Sequence, residues 1–211
     1  MNRDIFFVEC QNSACGLRFP IDLAIFEGKY CPRCGSPLQK ATPGLQSAQP
    51  ARAEAVKNFT LIGLLDNVRS SLNVGGIFRS ADAVRMSHLH LCGITPTPDI
   101  SAEVAKTALG AQASVSWSYH ANAVSAAKGL KEQGCRLIAL EVTHGAVPIS
   151  AMKAARDKPI VLMVGNEPAG LDPELVALSD EVVYLPMMGV KESLNVAVSF
   201  SIVVYWLRLR D

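Results

Sequence analysis

The sequence predicts an α/β protein, a parallel sheet with helices packed on it, preceded by a small metal-held domain. Two observations predict the sheet. Strand-like apolar segments alternate with helical ones from residue 60 onward, and the most apolar of them, residues 160–164, stops abruptly at Gly165-Asn166-Glu167. Strands that alternate with helices pair in parallel, because each helical crossover returns the chain to the same end of the sheet. A third observation predicts the extra domain: four of the six cysteines lie within the first 40 residues, as Cys10-x4-Cys15 and Cys31-Pro-Arg-Cys34-Gly.

Taken in order, residues 1–40 read as a zinc ribbon with Cys10, Cys15, Cys31 and Cys34 as its ligands. Zn²⁺ takes four thiolates tetrahedrally, a tight turn brings both cysteines of a pair to one ion, and Gly35 lets backbone N–H groups turn toward sulfur. The opening residues MNRDIFFVEC hold one short apolar run and no longer hydrophobic segment, so the chain reads as cytoplasmic, where thiols stay reduced and disulfides are rare. Four cysteines leave no open coordination position, which makes the zinc structural. Arg3, Arg18, Lys29, Arg33 and Lys40 are opposed by Asp4, Glu9, Asp22 and Glu27, so the ribbon is no basic clamp. Residues 41–57, rich in Ala, Pro, Gln and Ser without periodicity, read as a linker, and residues 58–211 as the main domain.

Within that domain residues 60–65 form the first expected strand. The following helix sets Val74, Ile77, Phe78, Ala81 and Val84 on one face and Gly75, Gly76, Arg79 and Asp82 on another. Strands are expected at 88–92, 114–119 and 136–141, with a helix at 122–133 stopped by Gly134. Cys92 and Cys135 read as core thiols, and His88, His90, His120 and His144 lack metal-like spacing. Where strand 160–164 ends, glycines let backbone groups approach a ligand closely, and the carboxyl ends of parallel strands are where ligands settle. Asp172-Pro173-Glu174 starts another helix as cap, N1 proline and acidic first turn. A strand at 181–186 follows, and a helix at 194–209 is apolar nearly all round. That helix is short for a membrane span and carries Asn195, Ser199 and Ser201, so no membrane association is expected. It is covered either by its own core or by a partner. With 49% hydrophobic residues in 211 there is ample core material, and a net charge of +1 leaves any polyanion site to a local patch.

Four stretches carry a family resemblance: NVGGIFRSADA at 73–83, VGNEPAGL at 164–171, LPMMG at 185–189 and SLNVAVS at 193–199. In this order and spacing they resemble the motifs of the SpoU (TrmH-like) RNA 2′-O-ribose methyltransferases of the SPOUT superfamily. Residues 106–111, KTALGA, are similar to a further signature of that family. The resemblance covers residues 58–211 and implies a SPOUT-type parallel sheet whose C-terminal segment forms a trefoil knot. It implies S-adenosyl-L-methionine as cofactor, held by Leu140, Gly165, Asn166, Gly170, Leu185, Met187, Ser193 and Leu194. It implies catalysis by Arg79, with Asn73, Glu167 and Asn195 ordering the loops, and transfer of a methyl group to a ribose 2′-hydroxyl of tRNA or rRNA. Either Arg79 or a substrate phosphate takes the proton, and an ion pair of Arg79 with Asp82 is the structural alternative. A homodimer through the C-terminal helix is implied as well. The competing function is a zinc-ribbon RNA-binding protein whose SPOUT domain does no chemistry. A Rossmann enzyme is disfavoured, since no GxGxxG follows the first strand.

Overall fold

Five residues of β9, Ile160–Val164, are all buried, and the larger sheet is built outward from this strand. The computed structural model describes residues 4–45, 59–152 and 157–210, and the chain divides into two compact units on either side of the segment 46–58. The first unit is an antiparallel sheet of β1 (Ile5–Cys10), β2 (Arg18–Asp22) and β3 (Leu38–Pro43), with β1 in the middle. Its buried apolar residues are Val8, Cys10 and Cys31, a core too small to hold a fold alone. β3 carries this sheet to Pro43, three residues past the expected boundary at 40, while positions 46–57 of the expected linker lie outside the described residues.

The second unit runs β4 (Leu61–Asp66), α1 (Ser71–Ala83), β5 (His88–Cys92), α2 (Ala102–Ala108), α3 (Ala111–Ser114) and β6 (Trp117–His120). It continues with α4 (Ala123–Glu132), β7 (Arg136–Leu140), β8 (Val147–Pro148), β9, α5 (Pro173–Leu178), β10 (Glu181–Tyr184) and α6 (Val196–Leu209). The sheet order is β6-β5-β4-β9-β7-β10-β8, and every neighbouring pair is parallel. The expected strand at 114–119 begins later, at Trp117. Leu109 and Gly110 both take positive φ, +53° and +95°, which ends α2 and lets the chain start the short α3 before the strand. Such backbone is natural for glycine and strained for leucine.

Alternation along the strands divides the core. Ile160, Leu162 and Val164 of β9 join the layer under α1 and α6, whereas Val161 and Met163 join the layer under α4 and α5. α1 approaches α2 so closely at Gly75 that a Cβ there would stand 1.9 Å from Thr107 Oγ1. Gly75 is therefore a packing glycine, not part of an open surface around Arg79. Gly76 faces Ala197 of α6 instead.

α6 seats Phe200, Val203, Val204 and Leu207 in the chain's own core, fully buried. Large side chains of this kind each contribute about 1.5–3 kcal/mol when buried. Val203, Val204 and Leu207 are thus not available to a partner. The exposed apolar stripe of this helix is a different one, Val198, Ile202, Tyr205 and Leu209. Among the described residues no helix is long and apolar enough to cross a membrane.

Candidate active site and cysteine cluster

A cavity of about 550 Å³ opens at the carboxyl ends of β7, β9 and β10, neighbours in the sheet, and the N-terminus of α6 closes its far side. Pockets of 300–1,000 Å³ hold small ligands, and this end of a parallel sheet is where they bind. The cavity is bounded by three loops. The first leaves β7 at Leu140. The second leaves β9 at Gly165 and doubles back through Asn166 and Gly170, whose backbones exchange two hydrogen bonds of 3.0 and 2.8 Å. A Cβ on Gly165 would lie 2.3 Å from the carbonyl of Gly170, so only glycine fits this turn. The third leaves β10 through Leu185 and Met187 and reaches Ser193, Leu194 and Asn195 at the helix cap.

All eight residues expected to hold a cofactor line this cavity. Glu167 and Asn195 line it too, and Asn73 ties them together at its margin. Asn73 Nδ2 donates to Glu167 Oε1 at 2.8 Å, and Asn195 Nδ2 donates to Asn73 Oδ1 at 3.0 Å. Glu167 also accepts from the backbone N–H groups of Arg69 and Ser70, at 2.9 and 3.1 Å. Burial pushes the Glu167 carboxyl up, but these N–H donors and Asn73 together outweigh it and hold the group below its ordinary range. Asn195 Oδ1 meanwhile caps α6 through Ala197 N and Val198 N, at 2.9 and 3.3 Å. Three segments that are distant in sequence, Asn73 standing 94 residues from Glu167 and 122 from Asn195, are thereby locked by two asparagines and one carboxylate.

Arg79 does not line the cavity. It lies on the exposed side of α1, six residues beyond Asn73, which is about 9 Å along a helix axis. Among the described residues it makes no hydrogen bond or ion pair, and Asp82 accepts from Ser114 Oγ at 2.6 Å instead. The ion pair between Arg79 and Asp82 is absent.

Two carboxylates escaped the reading of the sequence. Asp66, at the end of β4, is 2% exposed and accepts from Asp172 N and Asn67 Nδ2, at 3.0 and 2.7 Å. Burial raises its pKa, the two donors lower it, and the negative charge of Asp172 adds to the rise, so the carboxyl sits above its usual range. Asn67, in the left-handed region at φ +56°, receives Asn166 Nδ2 on its carbonyl at 2.8 Å, which joins the β4 loop to the cavity loop. Glu141 lines the cavity and accepts from Leu171 N and Val142 N, both at 2.9 Å. The only signal for either was an acidic residue at a strand end.

In the first unit the sulfurs of Cys10, Cys15, Cys31 and Cys34 all lie within 4.8 Å of one another. Cys10 Sγ is 3.4 Å from Cys34 Sγ, and Cys15 Sγ is 3.8 Å from Cys31 Sγ, far beyond a disulfide bond. Each pair sits on a turn ended by a glycine of positive φ, Gly16 and Gly35.

Fold and site together define the class: an open parallel α/β sheet whose ligand cavity is built by three loops and knitted by an Asn-Glu-Asn bridge. Residues 60–205 match the SpoU rRNA Methylase family, and the chain belongs to that family. Over 141 residues it is 30% identical to the tRNA (guanosine(18)-2′-O)-methyltransferase of Escherichia coli K12, covering 67% of this chain and 59% of the relative. It is 31% identical over 145 residues to the 23S rRNA (guanosine(2553)-2′-O)-methyltransferase of Bacillus subtilis, covering 69% of this chain and 56% of the relative. The chain thus spans less than two thirds of the length of these curated relatives. Among solved structures it is similar to an AdoMet-bound rRNA methyltransferase from Sinorhizobium meliloti, with a TM-score of 0.67 and 29% identity over 77% of this chain and 61% of the other. The TrmH/SpoU tRNA modifying enzyme of A. aeolicus gives 0.63 and 29%, over 72% and 75%.

Proposed function

We propose that this protein transfers a methyl group from S-adenosylmethionine to a ribose 2′-hydroxyl of a tRNA or rRNA. The observation that carries the reading is the Asn73-Glu167-Asn195 bridge, which joins three separately encoded motifs on one cavity. A chain that only docked on RNA has no need of it. The names of the relatives, which act on guanosine 2′-hydroxyls of tRNA and 23S rRNA, support the substrate class. The residues present fit the cofactor: Leu140, Leu185, Met187 and Leu194 offer apolar cover for a flat base, and the backbone at Gly165 and Gly170 and the polar groups of Asn166 and Ser193 offer hydrogen bonds. When bound, the cofactor supplies an electrophilic methyl on a sulfonium. Threading of residues 185–195 as a trefoil knot belongs to the same reading.

A hydroxyl is a weak nucleophile, and the chain must stabilise charge as its proton leaves. Arg79 has no partner to give up among the described residues, so its guanidinium is free to hold an RNA phosphate and the developing alkoxide. A guanidinium, with a pKa above about 12, keeps its proton, so a phosphate oxygen of the substrate is the better acceptor. Asn73, Glu167 and Asn195 keep the cavity loops in register with α1. The stripe of Val198, Ile202, Tyr205 and Leu209 is the contact through which two copies pair.

The four sulfurs fit Zn²⁺ as well. Tetrahedral thiolates about 2.3 Å from zinc stand about 3.8 Å apart, close to the separations here. Residues 4–45 are then a structural zinc ribbon. The test of the whole reading is incubation of the protein with labelled S-adenosylmethionine and total RNA, with mapping of 2′-O-methylation in cells with and without the gene. A ribose mark that disappears with the gene is expected; stoichiometric cofactor binding without any transfer would leave the docking function in its place.

A further inference from the structure

We propose that the carboxylates lining the cavity, Glu141 foremost, make it select the cationic sulfonium cofactor over the neutral thioether left after methyl transfer. This rests on reading the cavity as the S-adenosylmethionine site. Glu141, Glu167 and Glu192 line the cavity, whereas among the described residues no Lys, Arg or His side chain does. The positive end of α6, about half a unit of charge, already has Asn195 Oδ1 upon it.

The reaction changes the charge at one atom. The bond between methyl carbon and sulfonium sulfur breaks, and its electron pair stays on sulfur. A lone pair of the 2′-oxygen forms the new bond to carbon, and the hydroxyl proton leaves with the substrate phosphate or solvent. Sulfur thus goes from +1 to neutral inside the cavity, while the rest of the cofactor is unchanged. A wall of fixed negative charge binds the first state more tightly than the second, and the difference is largest where water is partly excluded.

Glu141 is fixed by backbone donors and lies outside the Asn73 bridge. Its two oxygens are held by Leu171 N and Val142 N, both at 2.9 Å, and it lies so close to Gly170 that a Cβ there would come within 2.6 Å of Oε2. Each oxygen uses one of its two acceptor directions. Glu192 is exposed and makes no hydrogen bond or ion pair among the described residues, so its removal changes charge and no fold contact. Glu167 belongs to the Asn73 bridge and is a poor probe. The functional consequence is that product leaves readily and competes weakly with fresh cofactor.

The experiment is calorimetric titration of the full chain with S-adenosylmethionine, S-adenosylhomocysteine and an analogue carrying an amine in place of the methylsulfonium. The wild-type chain is expected to bind the two cations more tightly than the thioether. Glu141→Gln, which keeps an amide oxygen for Leu171 N, should narrow the ratio of thioether to sulfonium Kd about fivefold, the scale of one partly screened unit charge in a protein site. Glu192→Gln should narrow it about twofold, the smaller effect of an exposed charge. If both variants leave the ratio unchanged, or weaken all three ligands equally, the inference falls and Glu141 is only a staple of the cavity loop. If the wild-type chain binds none of the three, the cofactor reading itself fails, and the inference with it.

Discussion

At the scale of single residues, the cavity depends on groups whose partners are distant in sequence. Arg79 is the exception, an exposed cation with no partner to brace it among the described residues. If it orients RNA and stabilises charge at the 2′-oxygen, Arg79→Ala should reduce methyl transfer about 10²-fold or more, the usual cost of removing one such electrostatic group. S-adenosylmethionine affinity, measured separately, should be unchanged, because Arg79 does not line the cavity. Arg79→Lys separates charge from the planar fork: near-normal turnover assigns the role to charge, a large loss to geometry. Normal turnover of Arg79→Ala on its own RNA would remove Arg79 from catalysis. A second residue, His90, has its pKa pushed down to about 4, first by burial and then by the charges of His88 and His120. It stays neutral in the fold while an unfolded chain takes up a proton below about 6.5. Its contribution to stability is therefore complete above that pH and declines as pH falls from about 6.5 to about 4. Melting temperature should drop across this window, and His90→Gln should flatten the drop; equal slopes in both proteins would exclude His90 as the cause.

At the scale of elements, the sequence made visible whatever its local pattern imposes. The run 160–164 announces a central strand because all five of its residues are apolar, and α5 begins at Pro173 because Asp172 caps it through Glu174 N at 2.8 Å. α2 went unread. Its seven residues are too few for a clear helical period, and what ends it is a left-handed leucine that no pattern marks. The histidines look unrelated along the chain, yet parallel pairing of β5 with β6 sets His90 opposite Ser118. That register brings His88 Nε2, His90 Nδ1 and His120 Nε2 to 2.8, 3.3 and 2.9 Å from Ser118 Oγ. The cavity's glycine loops were legible through their motifs. Asp66 and Glu141 were not, because each binds backbone N–H groups of a segment 106 or 30 residues away. α6 poses the converse difficulty: apolar all round, it does not announce which face points outward. The structure puts Val198, Ile202, Tyr205 and Leu209 there, between 43% and 60% exposed. Ile202→Lys should convert a dimer to a monomer in light scattering while leaving the circular dichroism spectrum unchanged. A chain that is monomeric before the substitution would exclude this face as a contact.

At the scale of the whole molecule, the two units draw stability from different sources. Among the described residues, both buried clusters of the larger sheet are made of residues from Phe59 onward. The first unit buries little beyond Val8, Cys10 and Cys31, and domains of this size commonly rely on a metal. A structural zinc in a small domain supplies about 10–16 kcal/mol of binding energy, which is also its folding energy. Purified protein is therefore expected to carry about one zinc per chain, as four closely placed thiolates form a single closed site. Cys31→Ser should lose that zinc, because Cys31 is buried among the other three sulfurs and a hydroxyl is a poor substitute ligand. Chelation should likewise unfold residues 4–45 and leave S-adenosylmethionine affinity within about twofold, since the described residues that line the cavity lie between Leu140 and Ser199. Metal analysis and cofactor titration on the same sample decide the matter: undiminished zinc in Cys31→Ser removes the ribbon, and loss of cofactor binding with the metal overturns the independence of the two units.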